Sequence, residues 1–194
     1  MTDNKSIIGP HVSISRGILE AIKYSENIEG NATQIFLGSN RSTSLKMKTK
    51  IKEEEIKEIK DYITKNNHYL IIHTVYLLNF CNEPSSSSKI KYAQDNLIFD
   101  VNLTEKLGGI GCVLHIGYQK DLELETAYHN MADNIIFCCE ATKKSAPNTK
   151  IILETPAGKG SQIGTSLDEF AKLWKMIPKK YYKKLGVCVD TAHI

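Results

Sequence analysis

Six short apolar runs, separated by longer segments of helical period, leave few folds open to this sequence. The runs cover residues 7–12, 32–37, 69–72, 111–116, 150–153 and 186–189. Each is rich in Ile, Leu and Val without clear alternation, the pattern of strands buried on both faces. The segments between them read as helices over 15–27, 50–65, 88–107, 124–144 and 167–174. In the second, Ile51, Ile56, Ile59 and Ile63 recur at helical spacing, with Glu and Lys elsewhere. The third ends at Gly108 and Gly109, a stop signal, and Thr165 or Ser166 can cap the last. Strand then helix, repeated, predicts βαβ units, a parallel sheet and right-handed crossovers. A doubly wound sheet can hold six such strands, whereas a closed (β/α)8 barrel needs eight and about 250 residues.

What stands at the strand ends separates the two, because function in either architecture collects beyond the carboxyl ends of the strands. The first run reaches His11, the third His73, the fourth His115, the fifth Glu154, and the sixth Asp190 with His193 close behind. The second ends in Gly38 and Ser39, with Arg41 following. A single histidine there is commonly a packing residue, and a single carboxylate commonly caps the next helix. Ligand-type groups at five of six strand ends exceed what independent packing produces. A mixed His, Glu and Asp set suits Zn²⁺, with Mn²⁺ or Fe²⁺ as alternatives; Mg²⁺ prefers all-oxygen sites. A barrel aims all these groups at one spot, whereas an open sheet spreads them along a line. The strand ends therefore favour the barrel.

Two further elements carry glycine- or serine-rich loops. Gly158-Lys159-Gly160-Ser161 lacks phosphate-loop spacing and reads as a tight loop whose N–H groups and Lys159 can face an anion. Residues 85–88, all serine, read as a loop and helix cap.

Composition limits the setting. The 194 residues carry a net charge of +3, which permits a polyanionic partner without demanding one. Five scattered cysteines without C-x-x-C spacing read as buried thiols in a reducing compartment. No stretch approaches the ~20 apolar residues of a membrane span, and the N-terminus lacks a signal-peptide core. The expectation is one domain over 1–194, intracellular (cytoplasmic or nuclear), not secreted and free of membranes.

Five motifs in order, GPHVS (9–13), HTVYLLN (73–79), VLHIG (113–117), LETPAGKGSQIG (153–164) and GVCVDTAH (186–193), resemble the endonuclease IV family of apurinic/apyrimidinic (AP) endonucleases. The resemblance implies a zinc-dependent TIM barrel of base excision repair that cuts the phosphodiester 5′ to an abasic site and leaves a 3′-hydroxyl. It implies three zinc ions. His73, His115 and Glu154 match ligands of the first, with Glu154, the expected catalytic carboxylate, bridging to the second. Asp190 matches a ligand of the second metal and His193 one of the third. The family's remaining ligands come from later strands. The chain is therefore expected to hold about the first six βα units and to be truncated at its C-terminus, leaving in question whether the 194 residues act alone.

The resemblance also implies a double-stranded DNA partner containing abasic sites, bound by a monomer. Arg41 and the pair Tyr76-Leu77 match residues that enter DNA at the lesion. Lys46, Lys48 and Lys159 are candidates for phosphate contacts. Two other readings stay open: a metal-dependent sugar isomerase or epimerase of the related barrel type, and a non-catalytic DNA-binding fragment.

Overall fold

A computed structural model describes residues 6–39, 44–45, 48–83 and 88–193. Five strands, β1 (Ala32–Phe36), β2 (Tyr69–His73), β3 (Gly111–His115), β4 (Lys150–Glu154) and β5 (Leu185–Cys188), form one sheet in sequence order, every neighbouring pair parallel. The helices are α1 (Ile18–Asn27), α2 (Glu53–Asn66), α3 (Ser88–Leu107), α4 (Leu124–Thr142) and α5 (Leu167–Met176). A 3-10 helix, Lys179–Lys184, leads into β5. Sequential parallel strands joined through helices form the continuous part of a TIM barrel.

The segment expected as a first strand is an incomplete one. Ala32 N–H donates to the Ile8 carbonyl, Gln34 N–H to that of Pro10, and Val12 N–H to that of Gln34. That is a parallel ladder with one rung missing, the rung that an N–H at position 10 would give to the Ala32 carbonyl. Proline has no N–H. The Ser25 hydroxyl donates to that carbonyl instead. Only the His11–Gln34 bridge remains, so five strands and this strap stand where six strands were expected.

The helices follow their apolar spacing. Ile56, Ile59 and Ile63 form the buried stripe of α2, and Asn67 ends the helix in the left-handed conformation. Ser166 caps α5, its hydroxyl accepting from Glu169 N–H while the Glu169 side chain returns to the cap, a full capping box.

The sheet's two faces differ, where the apolar runs predicted burial on both. Ile35, Leu70, Ile72, Cys112, Leu114, Ile151 and Leu153 lie fully buried under the helices. On the opposite, inner face, Gln34, Phe36, Ile71 and Ile152 are only partly covered. The register sets Phe36 against His73, His73 against Val113, and His115 against Glu154. The inner face therefore carries the strand-end histidines and the glutamate.

Candidate metal centre at the strand ends

His73, His115 and Glu154 are the last residues of β2, β3 and β4. Glu154 Oε2 lies 3.3 Å from His73 Nε2 and 3.1 Å from His115 Nε2. Just beyond β5, Asp190 and His193 join the same carboxylate. The potential donor atoms of His73, His115 and Glu154, and separately those of Glu154, Asp190 and His193, all lie within 4.8 Å of one another. Glu154 is common to both groups. The convergence expected from strand ends is thus present for five of the six residues; His11 is in neither group.

Backbone carbonyls orient two of the rings. His73 Nδ1 lies 2.8 Å from the Thr74 carbonyl, and His193 Nδ1 lies 2.8 Å from the Thr155 carbonyl. A carbonyl can only accept, so each Nδ1 donates to it and each Nε2 is left facing a carboxylate. Lone pairs facing a carboxylate oxygen across 3.3–3.4 Å repel unless a proton or a cation lies between them. The Thr155 hydroxyl also accepts from Asp190 N–H. Thr74 and Thr155 were not legible as site residues, because backbone carbonyls leave no mark in a sequence.

His115 supplies the test of fit. Its Nε2 is buried, stands 3.1 Å from Glu154 Oε2, and has no hydrogen-bond partner. Leaving a buried polar atom unpaired costs roughly 1–3 kcal/mol, and a coordinated cation removes that cost. Burial works to raise the Glu154 carboxyl, but the His73 hydrogen bond and the charge of His115 outweigh it and hold it below the ordinary carboxylate range. Burial pushes His115 down, against the opposing pull of Glu154. Ionised carboxylate with neutral imidazole is the protonation state that binds a metal, and two imidazoles with one carboxylate form a zinc-type donor set.

Aromatic rings wall this site. His11 lies 4.5 Å from Phe36 and 6.2 Å from His73 between ring centroids, and its Nδ1 bonds to Gln34 Oε1. It lines the mouth but falls in neither ligand group. Tyr76 stands edge-on to His115 at 5.1 Å and beside His73 at 5.4 Å, yet remains 44% exposed; Leu77 is 59% exposed. A large aromatic and a leucine thus project beside the strand-end histidines.

The remaining expected residues fall out unequally. Lys159 is exposed in a turn bounded by Gly158 and Gly160, both at positive φ. Its backbone N–H is already given to Gln162 Oε1, so only its side chain is free for an anion. Lys48 overturns its expected role as a phosphate contact. It is 6% exposed, and its ammonium lies 2.8 and 2.9 Å from the two carboxylate oxygens of buried Asp100. An ammonium committed to a buried carboxylate cannot also reach phosphate. Arg41 and Lys46 lie outside the described residues, as do residues 85–87 of the serine run. The five cysteines are free, four of them buried, as expected. Among the described residues, no helix is long and apolar enough to cross a membrane.

Comparison with known proteins supplies independent findings. The family profile described as "Xylose isomerase-like TIM barrel" matches residues 23–194. A probable endonuclease 4 of Mycoplasma mobile is 33% identical over 197 aligned positions, covering 100% of this chain and 66% of that protein. A putative endonuclease 4 of Acanthamoeba polyphaga mimivirus is 29% identical, covering 96% of this chain and 59% of that protein. The chain thus spans slightly less than two thirds of the curated relatives it matches. In structure it resembles endonuclease IV of Thermus thermophilus, with a TM-score of 0.74 at 22% identity, over 96% of this chain and 64% of the other. It also resembles a D-tagatose 3-epimerase-like protein, with a TM-score of 0.70 at 16% identity, over 96% of this chain and 66% of the other. At those identities the structural likenesses establish a shared fold.

Proposed function

The chain belongs to the xylose isomerase-like TIM barrel family, and on that premise we propose that it carries lesion-reading and metal-holding residues of an AP endonuclease. The reaction is hydrolysis of the phosphodiester 5′ to an abasic site in duplex DNA, leaving a 3′-hydroxyl. The enzyme works as a monomer inside the cell. One observation carries the reading: two ligand groups share Glu154, and an exposed Tyr76 stands beside their histidines. The endonuclease 4 names of the sequence relatives support it.

Each residue has a defined task. His73, His115 and Glu154 hold one cation, and Asp190 and His193 help Glu154 hold a neighbouring one, with zinc the ion that the donor set favours. Bound there, the metal supplies Lewis acidity that activates water and neutralises the leaving oxygen of a phosphodiester. Tyr76 and Leu77 wedge into the duplex at the lesion, with Arg41 expected beside them. An abasic nucleotide has no stacking partner, so displacing it costs less than displacing an intact one. The Lys159 ammonium contacts phosphate without regard to sequence.

The test is a duplex carrying a single abasic analogue, incubated with the protein with and without a chelator. Incision 5′ to the analogue, abolished by the chelator, is expected. Incision that survives metal removal, or that ignores the lesion, would overturn the reading. The epimerase-like fold neighbour makes turnover of a free ketose the competing outcome.

A further inference from the structure

We propose that Asn79 is a positioning residue: its buried side-chain amide locks the Tyr76–Leu77 loop to the loop that follows His115, and so sets where Tyr76 stands over the ligand histidines. The inference rests on the function proposed above for its DNA consequence, but the geometry stands without it.

Asn79 lies three residues beyond Tyr76 and is 8% exposed. Its Oδ1 accepts from Tyr118 N–H at 2.8 Å and from Cys81 N–H at 3.2 Å, while its Nδ2 donates to the Tyr118 carbonyl at 3.0 Å. One side chain thus engages both backbone groups of a residue 39 positions away, as a neighbouring strand would. Tyr118 follows His115 by three residues, so the clamp joins the loops leaving β2 and β3. It leaves no room at Gly117, where an added Cβ would stand 2.4 Å from Asn79 Oδ1 and 2.7 Å from Cys81 Sγ.

Both flanks of the clamp are tied down. On the helix side, Asn130 Nδ2 donates to the Cys81 carbonyl at 2.9 Å. Asn134 Nδ2 donates to the carbonyls of Phe80 and Asn82 at 2.8 and 3.0 Å. Toward β4, Tyr118 bridges to Gln162, and Gln119 N–H donates to the Ser161 carbonyl at 2.7 Å, which reaches the loop carrying Lys159. Before Tyr76 the chain is fixed by Thr74 N–H donating to the Val113 carbonyl at 2.9 Å and after it by Asn79; between these, Val75 and Leu78 are buried while Tyr76 and Leu77 are left 44% and 59% exposed. A projecting ring on a loop fixed at both ends presents its edge at low entropic cost, which is what preorganisation requires.

Two variants test this. Asn79→Ala removes all three hydrogen bonds. Asn79→Asp keeps both acceptor functions and sets an oxygen against the Tyr118 carbonyl in place of the donor, so it breaks one contact where the alanine variant breaks three. Amide exchange at Cys81 and Tyr118 should rise at least about tenfold in Asn79→Ala and less in Asn79→Asp, with protection of β2 and β3 retained. Zinc content should be unchanged, because Asn79 is not a ligand. Affinity for a duplex with one abasic analogue should fall about tenfold in Asn79→Ala, and adding Tyr76→Ala should cause little further loss, since the two act as one unit. Unchanged exchange at Cys81 and Tyr118, or losses from Asn79→Ala and Tyr76→Ala that simply add, would overturn the positioning role. A wild-type protein that holds zinc yet binds abasic and intact duplex alike would instead overturn the function; exchange at the two amides then decides the role of Asn79.

Discussion

Glu154→Gln separates the shared-ligand geometry from the fold that presents it. The substitution keeps volume and one carbonyl acceptor, and removes the charge that both ligand groups use. Glu154 is 7% exposed on a strand fixed by neighbours on both sides, so the metal-free variant should fold like the parent. Losing a ligand is taken to weaken zinc binding by at least about 100-fold, the upper end of what even outer-shell changes produce. At free zinc of about 100 times the parent's Kd, the parent gains about 2.7 kcal/mol of stability from the metal. The variant, then near its own Kd, gains only about 0.4 kcal/mol by the same relation. A difference of about 2.3 kcal/mol corresponds to roughly 5–9 °C in Tm for a chain of this size. The assay is a thermal melt of both proteins with zinc and with a chelator, alongside zinc content. Coincident melts in chelator, with the zinc-induced rise confined to the parent, are expected. An equal zinc-induced rise in Glu154→Gln would refute the sharing of that carboxylate, whatever the activity.

Tyr76→Ala and Arg41→Ala should each weaken binding to an abasic duplex, for Tyr76 by the roughly 1–3 kcal/mol of a lost stacking contact, while zinc content holds; a titration of labelled duplex with metal analysis checks both. Lys48→Met strands the Asp100 carboxylate in a site where it is fully buried, and should cost about 3–5 kcal/mol in denaturant unfolding at neutral pH. Burial pushes the Asp100 carboxyl from an ordinary 3.8 up to about 6, with Lys48 pulling the other way. A raised folded-state pKa gives stability that is present below about 4 and lost as pH rises through 6, so Tm measured across that window should fall more steeply in Lys48→Met than in the parent.

Much of this architecture is legible because it follows from local rules. Periodicity placed α3 at its observed bounds, and five of the six strand runs agree with β1 to β5 to within one residue at each end. The site was legible for a topological reason: parallel strands bring their carboxyl ends to one side, so the groups ending β2, β3 and β4 and those just beyond β5 meet, while His11, on the incomplete first strand, stays outside the cluster. What the sequence concealed depends on partners far along the chain. Lys48 sits in a polar stretch and reads as a phosphate contact, yet the carboxylate that it pairs with lies 52 residues on, in the middle of α3. Asn79 reads as a loop residue until Tyr118 is placed against it. Pro10 could have warned against a full strand, but only once the segment was placed beside β1, with Gln34 N–H on the Pro10 carbonyl.

The register explains why the ligands form a cup instead of a row. His115 and Glu154 are directly paired across β3 and β4, whereas His73 pairs with Val113 and so stands two residues, one inner-face step, deeper. That offset is the stagger a tilted parallel sheet accumulates as it closes. His73 spans it with its distal nitrogen, since Nδ1 is occupied by the carbonyl of the next residue and only Nε2 is free to point outward. Asp190 approaches from beyond the end of β5, above the level at which Glu154 pairs with Cys188. Donors therefore reach Glu154 from below, beside and above. His73 and His115 belong to one donor group and Asp190 to the other, so the cup presents Glu154 to two groups at different levels, which a flat row would not do.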